Sequence, residues 1–289
     1  MTATAAPPGR APSHTVSLSA GTLRYHDVGP REGRPIVFVH GFLTNALLWR
    51  DVIPPLAAVG HRCIAPDWPL GSHTIPMRAD APLDPWSLAA LIAELLEALD
   101  LDDVVLVGND TGGALAQMVV ARHAERLGAL VLTPCDAFSN WPAWWSKPLR
   151  PVGGSDRAMW LLGQPLRFRA VQRLPLVYGW VCKRHPPREV WRSWIEPGLR
   201  DAGIRRDFGK AFGATDSSQT LEAADALPSF GRPAMVVWCT ERAWIYPRSH
   251  ARRLAELLDA RLEWVEDSYV YVPEDQPARL AGLIADFLR

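Results

Sequence analysis

No charge of one sign prevails in this chain of 289 residues. Lys plus Arg and Asp plus Glu each number 31, and the isoelectric point lies near 7.1. That balance removes the electrostatic basis for nucleic acid or an anionic membrane as partner. Long apolar runs are also missing. The best candidate, residues 88–108, is broken by Glu94, Glu97, Asp100, Asp102 and Asp103, so no membrane span is expected. Residues 1–13 lack the apolar core of a secretory signal and are expected to form a disordered tail. Cysteine is scarce: Cys63, Cys135, Cys182 and Cys239 show no CxxC spacing. This argues against a disulfide framework or a Cys-based metal site, and predicts buried thiols in a cytoplasmic protein. Tryptophan alone is abundant, with 13 copies. Trp141, Trp144, Trp145, Trp160, Trp180, Trp191 and Trp194 crowd the middle of the chain, where most of them are expected to pack.

Hydrophobic residues make up 48% of the chain, enough for a large core. Residues 16–18 and 23–28 alternate around Gly21 and predict an opening hairpin. Strands are predicted at 35–40, 63–67, 104–108 and 129–133. Helices are predicted between them at 46–59 (kinked at Pro54-Pro55), at 85–99 with Asp84 as N-cap, and at 114–127. This alternation predicts a parallel sheet with helices on both faces. It fails from Phe138 to about Phe230, where only short helical pieces at 158–173, 174–184 and 188–199 are read. It resumes with a strand at 233–239, a helix at 247–258, a strand at 261–265 and a last helix at 274–288. The expected organisation is a core of residues 14–136 and 231–289, with 137–230 inserted as a helical cap over the carboxyl edge of the sheet. That edge is where ligands bind in open α/β sheets.

Chemistry concentrates at Gly108-Asn109-Asp110-Thr111-Gly112-Gly113. It follows an apolar strand and opens a helix, the setting of a nucleophile elbow. The turn is strained, and only small residues avoid collision at its flanks. Asp110 stands at the tip, so a carboxylate is the expected nucleophile and a covalent ester the expected intermediate. A second loop, His40-Gly41-Phe42-Leu43, follows the strand at 35–40. Backbone N–H groups of Phe42 and Thr111 are the expected oxyanion donors.

With these motifs in this order, the chain resembles the α/β-hydrolase superfamily. Within it the chain resembles the Asp-nucleophile haloalkane dehalogenases and epoxide hydrolases. The resemblance runs from about residue 20 to the end and includes Leu48-Trp49-Arg50, His123-Ala124-Glu125-Arg126-Leu127 and Glu274-Asp275-Gln276-Pro277. It implies the α/β-hydrolase fold, a mostly parallel eight-stranded sheet with an inserted helical cap. It also implies catalysis without cofactor or metal, and a small-molecule substrate. His40 would brace its loop.

The departures are informative. The halide-binding Trp after the nucleophile is Thr111 here, and the halide-binding Asn after His-Gly is Phe42. The cap offers one tyrosine, Tyr178, where epoxide hydrolases place two. The catalytic acid expected after the strand at 233–239 falls on Arg242, which leaves Asp136 as the alternative acid at the end of the strand at 129–133. The position of the catalytic histidine falls on Val270. His73, His185 and His250 are the remaining candidates for the missing base.

The expected site therefore has Asp110 and Asp136 as catalytic groups, with Phe42 and Thr111 as backbone donors. Candidates to border the pocket are His40, Asn109, Trp141, Tyr178, Arg242, Trp244 and Val270. Three functions stay open: a hydrolase for a small apolar or aromatic substrate, a cofactor-independent lyase, isomerase or cyclase using Asp110 for proton transfer, and a ligand-binding pseudo-enzyme. The sequence does not fix an oligomeric state.

Overall fold

A computed structural model describes residues 12–143, 146–175 and 177–289. Most of the expected tail, along with Trp144 and Trp145, lies outside the described residues. The sheet has eight strands: β1 (Ser13–Leu18), β2 (Gly21–Val28), β3 (Pro35–Val39), β4 (Arg62–Pro66), β5 (Val104–Asp110), β6 (Leu127–Cys135), β7 (Ala234–Cys239) and β8 (Arg261–Val265). Their order is β1-β2-β4-β3-β5-β6-β7-β8. The pairs β1·β2 and β2·β4 are antiparallel, and the other pairs are parallel. The first strand begins at Ser13, inside the expected tail.

The helices are α1 (Ile53–Ala58), α2 (Pro85–Ala98), α3 (Thr111–Arg122), α4 (Asp156–Gly163), α5 (Arg169–Gln172), α6 (Arg188–Arg200), α7 (Ala202–Gly213), α8 (Ser217–Ala226), α9 (Arg248–Leu257), α10 (Val272–Asp275) and α11 (Pro277–Phe287). From β3 the chain steps one way to β4 through α1, and from β5 the other way to β6 through α3. Right-handed crossovers therefore put α1 and α3 on opposite faces. Accordingly α1 packs with α11, while α2 and α8 pack with α3. The central strands β3 and β5 are buried throughout except at their ends, which suits residues covered on both faces.

Where elements differ from expectation, turn chemistry explains it. Pro54 and Pro55 do not kink a helix but open α1, where a missing N–H costs nothing. The chain before them forms a separate 3₁₀ turn, Ala46–Trp49. Helix α3 ends at Arg122 because Leu127 already pairs with Val104 in the sheet. The described residues of 174–175 and 177–184 form turns and bends rather than a helix, with Pro175 and Gly179 among them. Two further helices, α7 and α8, follow caps present in the sequence. Asp201 accepts from Gly203 and Ile204 N–H, and Asp216 forms a capping box with Gln219. Between β6 and β7 the described residues contain helices and turns but no strand.

Candidate functional site

Residues at or beyond the carboxyl ends of β3, β4, β5, β6, β7 and β8 border one cavity. Strand β5 passes into α3 without a loop, and Asp110 sits at the joint with φ of 57°. A non-glycine residue there is strained, a feature concentrated at functional sites. The turn closes only because Gly108 faces Gly113. A Cβ on Gly108 would lie 2.6 Å from the Gly113 Cα. The loop after β3 presses equally close, since a Cβ on Gly41 would lie 2.3 Å from Asp110 Oδ2.

Asp110 has two tyrosine donors. Tyr246 OH donates to Oδ1, and Tyr271 OH donates to Oδ2 at 3.4 Å. Burial pushes the Asp110 pKa up, and the two hydroxyls and the Thr111 N–H oppose that rise. Asp136 lies just past the end of β6. Its Oδ2 accepts from Thr111 Oγ at 3.1 Å, while its buried Oδ1 has no hydrogen-bond partner among the described residues. Burial, and after it the neighbouring charge of Asp110, drives the Asp136 pKa well up, against the Thr111 and Tyr246 hydroxyls. Two like charges buried side by side cannot both be held cheaply, so the pair retains a proton above the usual carboxylate range.

Asn109 and Gln117 fix the frame. Asn109 Nδ2 donates to Thr133 Oγ, Pro134 O and Val270 O. Gln117 Nε2 donates to Asp136 O at 3.0 Å. The cavity, about 420 Å³, is bordered by both carboxylates, by Phe42, Trp141, Tyr178 and Trp194, and by Phe208 and Phe212 of α7. Tyr178 OH donates to Leu43 O at 2.6 Å. Its ring meets Trp191 edge-on at 4.6 Å.

Asp110, Asp136, Phe42, Thr111, Trp141 and Tyr178 all border this cavity. His40 and Asn109 stand behind the cavity wall. His40 Nε2 accepts from Trp68 N–H at 3.0 Å, and burial lowers its pKa to about 4, so it is a neutral brace. His40 and Asn109 therefore do not border the cavity as expected, and three further pocket candidates are corrected with them. Arg242 does not face Asp110; its guanidinium lies over the Tyr269 ring at 4.4 Å. Trp244 is 42% exposed and stacks edge-on with Trp180, outside the cavity lining. Val270 is fully buried and does not border the cavity; the next residue, Tyr271, turns inward instead. No histidine lines the cavity among the described residues. His73 is buried against Asp207 at 3.1 Å, His185 is exposed, and His250 packs edge-on against Phe138.

This placement overturns the expectation that Val270, at the position of the missing histidine, borders the pocket. Val270→His is expected to bring no base into the cavity and to destabilise the fold by about 1–3 kcal/mol through overpacking. Urea unfolding checks this, and an unchanged midpoint would contradict it.

Tyr246 and Tyr271 are the functional candidates that motif reasoning missed. Both lie in loops leaving the last two strands. The only sequence signal for them was a tyrosine near each expected acid or base position.

The comparisons with known proteins agree with this architecture. A family model described as the alpha/beta hydrolase fold matches residues 34–269. A haloalkane dehalogenase of Mesorhizobium japonicum is 32% identical over 134 residues, covering 46% of this chain and 42% of that protein. Haloalkane dehalogenase 2 of Mycobacterium bovis is 25% identical, covering 93% of this chain and 92% of that protein. Among solved structures, an alpha/beta hydrolase fold protein from Burkholderia ambifaria superposes with a TM-score of 0.77 at 20% identity, covering 94% of this chain and 97% of that one. The epoxide hydrolase CorEH gives 0.76 at 21% identity, covering 96% and 99%. At such identities the structures speak for the fold alone. With the family model matching over most of its length, this chain belongs to the α/β-hydrolase-fold family.

Proposed function

We propose that the protein is a hydrolase of small apolar epoxides in which Asp110 is the nucleophile and Asp136 does the work of the absent histidine. Residues 137–230 are read as the cap that roofs the cavity, with the core in 14–136 and 231–289. The observation that carries this reading is the cluster of Asp110, Asp136 and Tyr246 in an apolar cavity that no imidazole borders among the described residues.

The proton balance is simple. Asp110 starts ionised and Asp136 protonated. Asp110 attacks a ring carbon, the C–O bond breaks, and the electron pair passes to the departing oxygen. That oxygen takes the Tyr246 proton, and Asp136 restores the tyrosine. Asp110 is now a neutral ester and Asp136 a carboxylate whose pKa is still raised by burial, which suits a base working near neutrality. Asp136 draws a proton from water as the water attacks the ester carbonyl. The Phe42 and Thr111 N–H groups receive the oxyanion. The intermediate then collapses: the ester C–O bond breaks, the departing alkoxide takes the proton of the new Asp110 carboxyl, the diol leaves, and Asp110 is again a carboxylate while Asp136 keeps the proton it took from water.

Single turnover in H₂¹⁸O tests the scheme. Label is expected in the Asp110 carboxylate, because water attacks that carbonyl. Turnover that leaves Asp110 unlabelled overturns it. It would favour the second reading, a non-hydrolytic enzyme using Asp110 for proton transfer. The observation behind that alternative is the pair of tyrosine hydroxyls on Asp110, which damp its nucleophilicity.

Halide release from simple haloalkanes is expected to be no greater than for Asp110→Asn. Thr111 is turned to Asp136, and Phe42 packs edge-on against Phe208 and Phe212 at 5.4 and 5.7 Å. Neither side chain offers a departing halide an N–H. Ion chromatography of the reaction mixture decides it, and clear release above the variant refutes the claim.

A further inference from the structure

The zero net charge conceals an uneven distribution. Between residues 147 and 200 there are eleven Lys or Arg and only three acids: Asp156, Glu189 and Glu196. Arg157, Arg167, Arg169, Arg173 and Arg188 have no acidic partner among the described residues. The same stretch is apolar at its surface. Of nine exposed large hydrophobic residues among the described residues, six lie between 149 and 174. Phe168 is 67% exposed, Leu161 54% and Trp160 40%. No residue of helix α4 is buried. A soluble surface does not normally gather such residues without a partner.

Basic and apolar residues also adjoin. A second cavity, about 370 Å³, is bordered by Arg167, Arg169, Arg188, Arg192 and Arg200. It shares Leu166, Ile195 and Leu199 with the wall of the reaction cavity. Leu149 and Leu162 border the reaction cavity and are themselves 46% and 57% exposed. The rim of the reaction cavity thus belongs to the same surface.

We propose that this surface, residues 147–200, docks on an anionic lipid bilayer, with its arginines on headgroup phosphates and its exposed apolar side chains at the acyl boundary. Guanidinium groups bind phosphate bidentately, and aromatic and aliphatic side chains beside them are the pattern of interfacial contact. Charge decides the occupant. A second copy meeting this surface symmetrically would set surplus positive charge against itself, whereas an anionic membrane satisfies both the charge and the apolar area. No helix among the described residues is long and apolar enough to cross a membrane; the proposal concerns the surface alone. It revises the expectation drawn from net charge. Docking would open the reaction cavity toward molecules dissolved in lipid.

Vesicle co-sedimentation tests this without recourse to activity. The unmodified protein is expected to pellet with phosphatidylcholine vesicles containing phosphatidylglycerol, to stay in solution with phosphatidylcholine alone, and to be released as salt rises. Each arginine near an anionic surface contributes about fivefold to partitioning, so Arg167→Gln, Arg169→Gln and Arg188→Gln together should lower it about a hundredfold. Leu161→Ser with Phe168→Ser should weaken it at constant charge, with the thermal melt unchanged. Equal binding to neutral and anionic vesicles, no binding to either, or an unaffected triple variant overturns the proposal. So does a dimer in sedimentation velocity that Phe168→Ser dissociates, since that assigns the surface to a second copy.

Discussion

Asp136→Asn is expected to trap the reaction half-way, with a covalent adduct on Asp110 and steady turnover lowered by about 10²–10⁴-fold. Asparagine preserves the shape of the side chain and can still accept from Thr111 Oγ, now 3.1 Å from Asp136 Oδ2. It can neither return a proton to Tyr246 nor take one from water. The opening attack keeps its nucleophile and its phenol donor, so the ester still forms, more slowly. Its hydrolysis has lost the base, and the ester accumulates. Intact-protein mass spectrometry after mixing with an epoxide reads the result as a mass gain of one substrate, located on the peptide holding Asp110. Lost turnover without an adduct would move Asp136 from the second half-reaction to proton transfer with substrate, the non-hydrolytic alternative. The pH profile gives a companion signature. The starting state needs Asp136 protonated and Asp110 ionised. Burial, then the charge of Asp110, lifts the Asp136 pKa. Burial also lifts Asp110, but two tyrosines and an N–H restrain it. Rate should therefore fall on the acid side as Asp110 takes up a proton and on the alkaline side as Asp136 loses one, with both limbs belonging to the pair.

How much of this site could be read from the chain depends on how local each constraint is. The elbow was legible because one backbone turn dictates its own neighbours. Gly108 and Gly113 touch across five positions, and an aspartate at the tip has few structural reasons to adopt φ of 57°. Asp136 was legible because β6 runs beside β5, so its end must arrive next to Asp110. Tyr246 and Tyr271 were not, because they are 136 and 161 residues from Asp110 and reach it through irregular loops. After β7 the chain turns at Arg242, with φ of 56° and Ile245 N–H donating to its carbonyl. That turn sends Arg242 outward and Tyr246 inward, and a strand pattern does not encode it. After β8 a shift of one residue separates the inward Tyr271 from the expected Val270. Both residues lie in the irregular loop beyond Val265, where no strand period fixes side-chain direction, so motif spacing alone misplaces a residue. The helical segment was legible as an absence of strands, whereas α7 and α8 needed their caps at Asp201 and Asp216 to be recognised.

Asp110→Asn is expected to abolish turnover and, unlike most changes at a buried polar position, to stabilise the fold. Loss of a nucleophile that acts as part of a unit costs about 10⁴–10⁶-fold. Asparagine offers no carboxylate to attack carbon, so no adduct should form on it. Stability runs the other way because the native site holds Asp110 under burial, in an apolar cavity shared with Asp136. For each carboxyl the folded pKa lies above the unfolded value of about 4. Over the interval between those two values the folded protein binds more protons than the unfolded chain, so stability declines as pH rises through it. The penalty is fully present above the folded pKa values, and each unit by which folding lifts a carboxyl is about 1.4 kcal/mol. The asparagine variant removes the share of Asp110 directly. It also removes the charge that is the second cause of the rise at Asp136, so the two contributions reinforce each other. The new amide can keep Tyr246 partnered, since the phenol can donate to the amide oxygen where it now donates to Oδ1. Urea unfolding at a series of pH values should show the unmodified protein weakening from mildly acidic to neutral conditions, with a flatter and higher curve for the variant. Parallel curves, or a variant less stable at neutral pH, would mean that the tyrosine bonds to the carboxylate outweigh its burial. Asp110 would then be a comfortable anion and a correspondingly poor nucleophile.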